Sequence, residues 1–256
     1  MSELQGDLGK YLSGMPVTVA GANIAISQPS IKDICAFGED SFLMSVELFV
    51  KAKELAAEMK NMGKSQLGYM DDFQILLVII QQDENTKRNV DNLFSLIFPD
   101  YIVEYDAGCI NFRVRESGPI VGQLNPMNFE NFRITLKELF LPVGTDKYEE
   151  EFNPANDAAA EIAAKLQRGR EIRNQIKSEK DKKKANSIFG NYASALSIGL
   201  AIDINVIYNY TPFQLFDSIK RYTLKMAYDL YQKVATTPMM DISKMDEPDN
   251  WMDGIY

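Results

Sequence analysis

Thr211-Pro212-Phe213-Gln214 constrains this chain more than any other four residues. A threonine ahead of a helix can accept from the amide of the third helical residue. A glutamine at that third place can reach back to the threonine N–H, and proline suits the first helical place, where no N–H is needed. A helix is therefore predicted from Pro212 to Val234. Phe213, Leu215, Phe216, Ile219, Tyr222, Leu224, Met226, Tyr228, Leu230 and Tyr231 surround too much of it for one narrow core stripe. One face must pack inward, leaving another for a partner or a second copy of the chain.

The first part of the chain mixes strands and helices. Val17–Ala20 and Ile24–Ile26 flank Gly21-Ala22-Asn23, a hairpin signal. Ser30 stands where it can cap a short helix, and a second helix starting near Asp40 or Ser41 places Phe42, Val46, Phe49 and Val50 on one face. Gly63 and Gly68 bracket a loop. Asp71-Asp72 open a helix through Phe73 and Ile75–Ile80 that is apolar nearly all round and should be the most buried. A helix over Thr86–Phe98 turns Val90, Leu93, Phe94, Ile97 and Phe98 inward before Pro99. Tyr101–Tyr105 and Ile110–Arg115 read as a second hairpin around Asp106-Ala107-Gly108. Asn128 is placed to cap a helix over Phe129–Phe140, closed by Pro142.

A different composition follows. From Asp157 the chain is rich in helix formers and then in cations, with Lys165, Arg168, Arg170, Arg173, Lys177 and Lys180 leading into Lys182-Lys183-Lys184. Its thin apolar stripe predicts a solvated connector helix. Beyond it, Ser187 can cap a helix that ends near Gly199, and Ile202–Tyr210 fits either an extended segment or more helix. The chain thus reads as α+β and mostly helical, with two small β-hairpins in an N-terminal lobe and a helical C-terminal lobe. Its regions are residues 1–150, a basic connector at 151–185, and a helical domain with an acidic tail at 186–256.

The chain contains no histidine. It lacks the side chain best suited to proton transfer at neutral pH and the commonest metal ligand. Neither a Ser-His-Asp nor a Cys-His nucleophile can be assembled, no cysteine pair has zinc spacing, and Gly63-Lys64-Ser65 lacks the leading glycine of a phosphate loop. Acids alone can hydrolyse glycosides, but no pair is singled out here. No enzyme, metal or cofactor is expected. Cys35 and Cys109 read as buried free thiols, with a disulfide possible but not implied. A net charge of −9 argues against nucleic acid and anionic membrane. The basic stretch holds no aromatic residue on which bases could stack. No signal peptide is read in the first residues, and the apolar run Ile75–Ile80 is too short to cross a bilayer.

The candidate partner-binding residues are Phe213, Phe216, Tyr222, Tyr228 and Tyr231 on the last helix, with Met239, Met240 and Trp251 in the tail. Methionine adapts to irregular surfaces, and tryptophan is a frequent binding hot spot.

At these residues the chain resembles phage tail assembly chaperones. The likeness lies in the apolar helix Tyr192–Leu200 and then in Val206-Ile207-Tyr208-Asn209-Tyr210-Thr211-Pro212-Phe213-Gln214-Leu215-Phe216-Asp217. An aromatic helix and the pair Asn250-Trp251 follow. Gln28-Pro29-Ser30-Ile31-Lys32-Asp33-Ile34 and Phe37–Phe42 are also similar to proteins of the tail-gene region. The resemblance implies a non-enzymatic protein of the host cytoplasm. It would bind the tape-measure protein, keep that long helical chain soluble and recruit tail-tube subunits. A structural component of the tail or baseplate is the alternative.

Overall fold

The computed structural model describes residues 7–61, 69–106, 108–115, 118–141, 187–237 and 248–252. It is an α+β protein, mostly helical, with two small antiparallel sheets. The chain begins with α1 (Leu8–Ser13), the hairpin β1 (Val17–Val19) and β2 (Ile24–Ile26), α2 (Ile31–Phe37) and α3 (Glu39–Val50). Then come α4 (Ala52–Asn61), α5 (Asp72–Gln82), α6 (Glu84–Ile97), and strands β3 (Ile102–Asp106), β4 (Cys109–Arg113) and β5 (Ile120–Leu124). α7 (Phe129–Phe140), α8 (Ile188–Leu200), α9 (Ile204–Ile207) and α10 (Pro212–Thr236) complete it.

The predicted helix starts are built as the side chains require. Ser30 and Asp33 form a capping box on α2, and Asp71 and Gln74 form another on α5. α5 buries Phe73, Ile75, Leu76, Leu77 and Ile80. The second hairpin gains a third strand, β5, in the order β3-β4-β5. Its glycine hides it from a propensity reading, and that glycine has a spatial reason. A Cβ on Gly122 would sit 2.5 Å from Ile24 and 2.7 Å from the Asn23 carbonyl. Only a bare backbone lets β5 lie against the first hairpin. Helices α1 and α4 were also not anticipated.

Asn128 corrects one expectation. It precedes α7 but makes no side-chain cap. Its amide nitrogen donates to the carbonyls of Gly21 at 3.0 Å and Gln123 at 2.9 Å, and its side-chain oxygen accepts from the Asn125 N–H at 2.9 Å. The residue is buried, so its polar groups are committed to joining the two sheets. Cys35 is another correction: it is exposed, while Cys109 is half-buried, and both are free thiols.

An aromatic layer holds the centre. Phe49 meets Phe94 at 5.4 Å and Phe132 at 5.5 Å, Phe42 meets Phe140 at 5.3 Å, and Phe98 meets Phe112 at 4.8 Å. Helices α3, α6 and α7 and the larger sheet thus share one apolar interior. Phe189, Ala193, Leu196, Ile207, Phe213 and Leu215 belong to the same buried cluster, so the core runs on into the C-terminal helices. The Gly63–Gly68 loop, Ala107, Pro142, the basic connector at 151–185, Met239 and Met240 lie outside the described residues.

Candidate docking surface

Residues 187–237 are seated on the rest of the protein by polar clasps at helix ends. Ser187 caps α8 as predicted, accepting from the Gly190 N–H at 2.7 Å. A second acceptor comes from far away in sequence. The Glu39 carboxylate, at the start of α3, accepts from the Ile188 N–H at 2.5 Å, the Phe189 N–H at 3.1 Å and the Ser187 hydroxyl. A carboxylate at a helix N-terminus satisfies otherwise orphaned donors and meets the positive end of the helix dipole. α8 ends at Leu200, one residue past Gly199, and Ala201 takes the left-handed cap. Gly199 serves contact instead: a Cβ there would lie 2.5 Å from the Tyr222 ring.

The open segment Ile202–Tyr210 contains the single-turn helix α9. The carbonyls of Tyr208 and Tyr210 then accept from Lys32 at 2.9 Å and Ile31 at 2.8 Å, so they satisfy the N-terminus of α2. The Thr211–Gln214 capping box forms as expected, with Thr211 N–H donating to Gln214 at 2.8 Å and Gln214 N–H to Thr211 at 3.3 Å. The Gln214 amide also donates to the Leu12 carbonyl at 2.7 Å, which ties α10 to α1.

α10 then changes character along its length. Pro212, Phe213, Leu215, Phe216 and Asp217 are buried. Phe213 packs edge-on against Tyr11 at 5.0 Å, and Phe216 lies 5.8 Å from Phe189. These two rings are core residues and do not reach the surface. Tyr222 is half-buried against the core. Tyr228 and Tyr231 are half-buried without joining the core cluster. Trp251 is half-buried beside the helix. Arg221 holds it there, donating to the Trp251 carbonyl at 2.9 Å while its Nε binds the Asp217 carboxylate at 3.1 Å.

Half of the exposed large apolar side chains among the described residues lie in this segment and at Met252; the others, Tyr69 and Met127 among them, are scattered over the rest of the protein. Ile188, Ile198, Leu200, Ile204, Val206, Met226, Leu230 and Met252 are exposed, Ile198 to 81% and Leu230 to 57%. A shallow groove beside them is lined by Leu12, Val206, Asn209, Tyr210, Gln214 and Ser218. None of the eight exposed residues is among the candidate partner-binding residues. A signal was present nonetheless: residues 185–202 contain no Asp, Glu, Lys or Arg. A charge-free run of that length on a surface helix leaves apolar groups in water, and such patches mark interaction sites.

The shifted titrations have structural causes. Burial, then hydrogen bonding to Glu138, pushes the Tyr11 hydroxyl far up; burial and Asp91 do the same for Tyr105. The Arg133 guanidinium holds Glu130 down at about 2. Among the described residues no group of three or more Cys, Asp or Glu side chains is placed to hold a metal ion, and no helix is long and apolar enough to cross a membrane. Comparison with protein-family models, with curated proteins and with solved structures finds no match.

Proposed function

We propose that this chain is a non-enzymatic assembly protein of the phage tail, a chaperone that holds the tape-measure protein soluble and recruits tail-tube subunits in the host cytoplasm. The observation that carries the reading is the set of exposed apolar residues on α8, α9 and α10. A long amphipathic client aggregates when its apolar stripe is left in water. A chaperone can cover that stripe with leucine, isoleucine, methionine and tyrosine without close shape complementarity. The sequence likeness in residues 192–217 and at Asn250-Trp251 supplies the identity of the client.

The test is co-expression with a long helical protein encoded in the same gene region. The intact chain should co-purify with it and keep it soluble. Ile198→Asp, at the most exposed large apolar residue of α8, should weaken that capture without unfolding the protein. Capture and solubility that do not respond to the chain at all would remove the chaperone reading. Recovery of the protein in purified virions would favour the alternative of a structural tail or baseplate component.

A further inference from the structure

We propose that Pro248–Met252 is a displaceable strap, which occupies in the same chain a face of α10 where a partner polypeptide docks and must leave before that partner binds; this rests on the reading of the C-terminal helices as a docking surface and adds its regulation. Asp217, Arg221, Leu224, Tyr228 and Tyr231 follow one another at spacings of four and three. They therefore share one face of the helix. Asp217 is buried and the other four are half-buried. Leu224, Tyr228 and Tyr231 do not join the core cluster, so the core does not use this stripe.

The strap is already seated at the head of the stripe. Arg221 Nη1 donates to the Trp251 carbonyl at 2.9 Å, across 30 residues of sequence. α10 runs on to Thr236, about 22 Å of helix beyond Arg221, so Trp251 has been brought back along the helix. Pro248, Asn250 and Trp251 are half-buried, while Asp249 and Met252 are exposed.

The seat is shallow and its latch is reversible. Arg221 also binds both oxygens of Asp217 through Nε, at 3.1 and 3.3 Å, and that pairing does not involve the tail. Undocking leaves the guanidinium paired, and water takes up the freed carbonyl. A segment so lightly covered belongs to the low-stability end of a fold, from which switching elements are drawn. The latch reads a main-chain carbonyl, a group that every polypeptide offers. An incoming segment with an exposed carbonyl and an apolar side chain beside it meets the same donor and the same stripe. The tail holds the seat against that rival by its tethering, which keeps its local concentration high.

The experiment titrates a labelled synthetic peptide copying residues 246–256 with the intact chain and with a chain truncated after Glu247. A tether supplies an effective concentration on the order of millimolar, so a tail that stays docked must bind below that concentration when it is supplied as a free peptide. Fluorescence anisotropy should show saturable binding to the truncated chain. Binding to the intact chain should be about tenfold weaker or more, because the seat is taken. Arg221→Ala in the truncated chain should weaken peptide binding about tenfold or more, with circular dichroism showing the fold retained. Should that variant unfold, Tyr228→Ala takes its place with the same expected direction. Should truncation itself unfold the chain, Trp251→Ala in the full chain replaces it. The truncated chain should also capture the co-expressed long helical protein about tenfold more tightly. No saturable binding to the truncated chain at millimolar peptide, or equal binding to both chains, overturns the strap. Capture that falls or stays the same on truncation overturns its regulatory role. If capture persists while the peptide binds neither chain, only the strap is lost. If the peptide result holds while neither chain captures any client, the strap stands and the tail-assembly reading falls.

Discussion

The two halves of α10 are written in the same residues and meet opposite fates. Proximally, phenylalanine and leucine are buried against α1, α7 and α8. Distally, tyrosine, leucine and methionine recur at the same spacings, yet no residue beyond Tyr222 is buried. Helix formation does not require burial along its whole length. The capping box and the packed first turns supply the costly nucleus, after which each further residue adds a hydrogen bond at little cost. A well-anchored start can therefore project a helix past the edge of its core and keep its apolar face for something else.

Substitutions should separate the halves sharply. Phe213→Ala removes a ring that is 1% exposed and packed on Tyr11. It should cost about 3 to 5 kcal/mol in denaturant unfolding, and an effect under 1 kcal/mol would mean that the proximal half is not an anchor. Arg221→Ala cuts the link at the boundary between the halves. It leaves the nearly buried Asp217 without this guanidinium and frees the Trp251 carbonyl, and should cost about 1.5 to 3 kcal/mol. Because Trp251 is the only tryptophan, its emission should shift to the red. Unchanged emission would show that the tail is held by other contacts.

Smaller effects come from the Glu39 clasp at the start of α8 and from a site remote from it. Glu39→Ala should destabilise by about 1 kcal/mol, as other lost helix caps do, and should speed amide exchange at Ile188 and Phe189 before the rest of α8. Glu130 supplies an acid-sensitive contribution outside the C-terminal segment. Its pKa is depressed from 4.5 to about 2 in the fold, so its stabilisation is whole above pH 4.5 and is lost as pH falls towards 2. Glu130→Gln should flatten that part of the stability–pH curve while leaving Trp251 emission unchanged. Leu230→Ala should be nearly silent, within about 0.5 kcal/mol, although the same change should weaken partner binding. A large loss of stability there would show that the distal half is packed after all.

Local chemistry made much of this legible in advance. The starts of α2, α5, α8 and α10 depend on a side chain reaching a backbone amide three residues away, a distance fixed by the chain itself. The inward residues of α3 and α6 follow from helical periodicity, and the burial of α5 from its being apolar nearly all round. Asn128 shows the limit: a residue suited to a cap is drawn off by carbonyls of two other elements. β5 escaped notice because its glycine weakens strand propensity, and its reason to exist is the close approach of the first hairpin.

The candidate site divides in the same way. Aromatic content singled out Phe213 and Phe216 as partner-binding residues, and both proved to be core. Ile198, Val206, Met226 and Leu230 carry the exposed apolar surface instead. Sequence by itself determined where α10 begins, which residues share its faces and that its apolar content exceeds one stripe, because those are properties of neighbouring residues in a helix. Only the tertiary structure decided where burial stops along that helix, that Glu39 caps α8 across the molecule and that Arg221 holds Trp251. Each of those depends on which distant surface arrives, and contacts between residues far apart in the chain leave no fixed spacing to read.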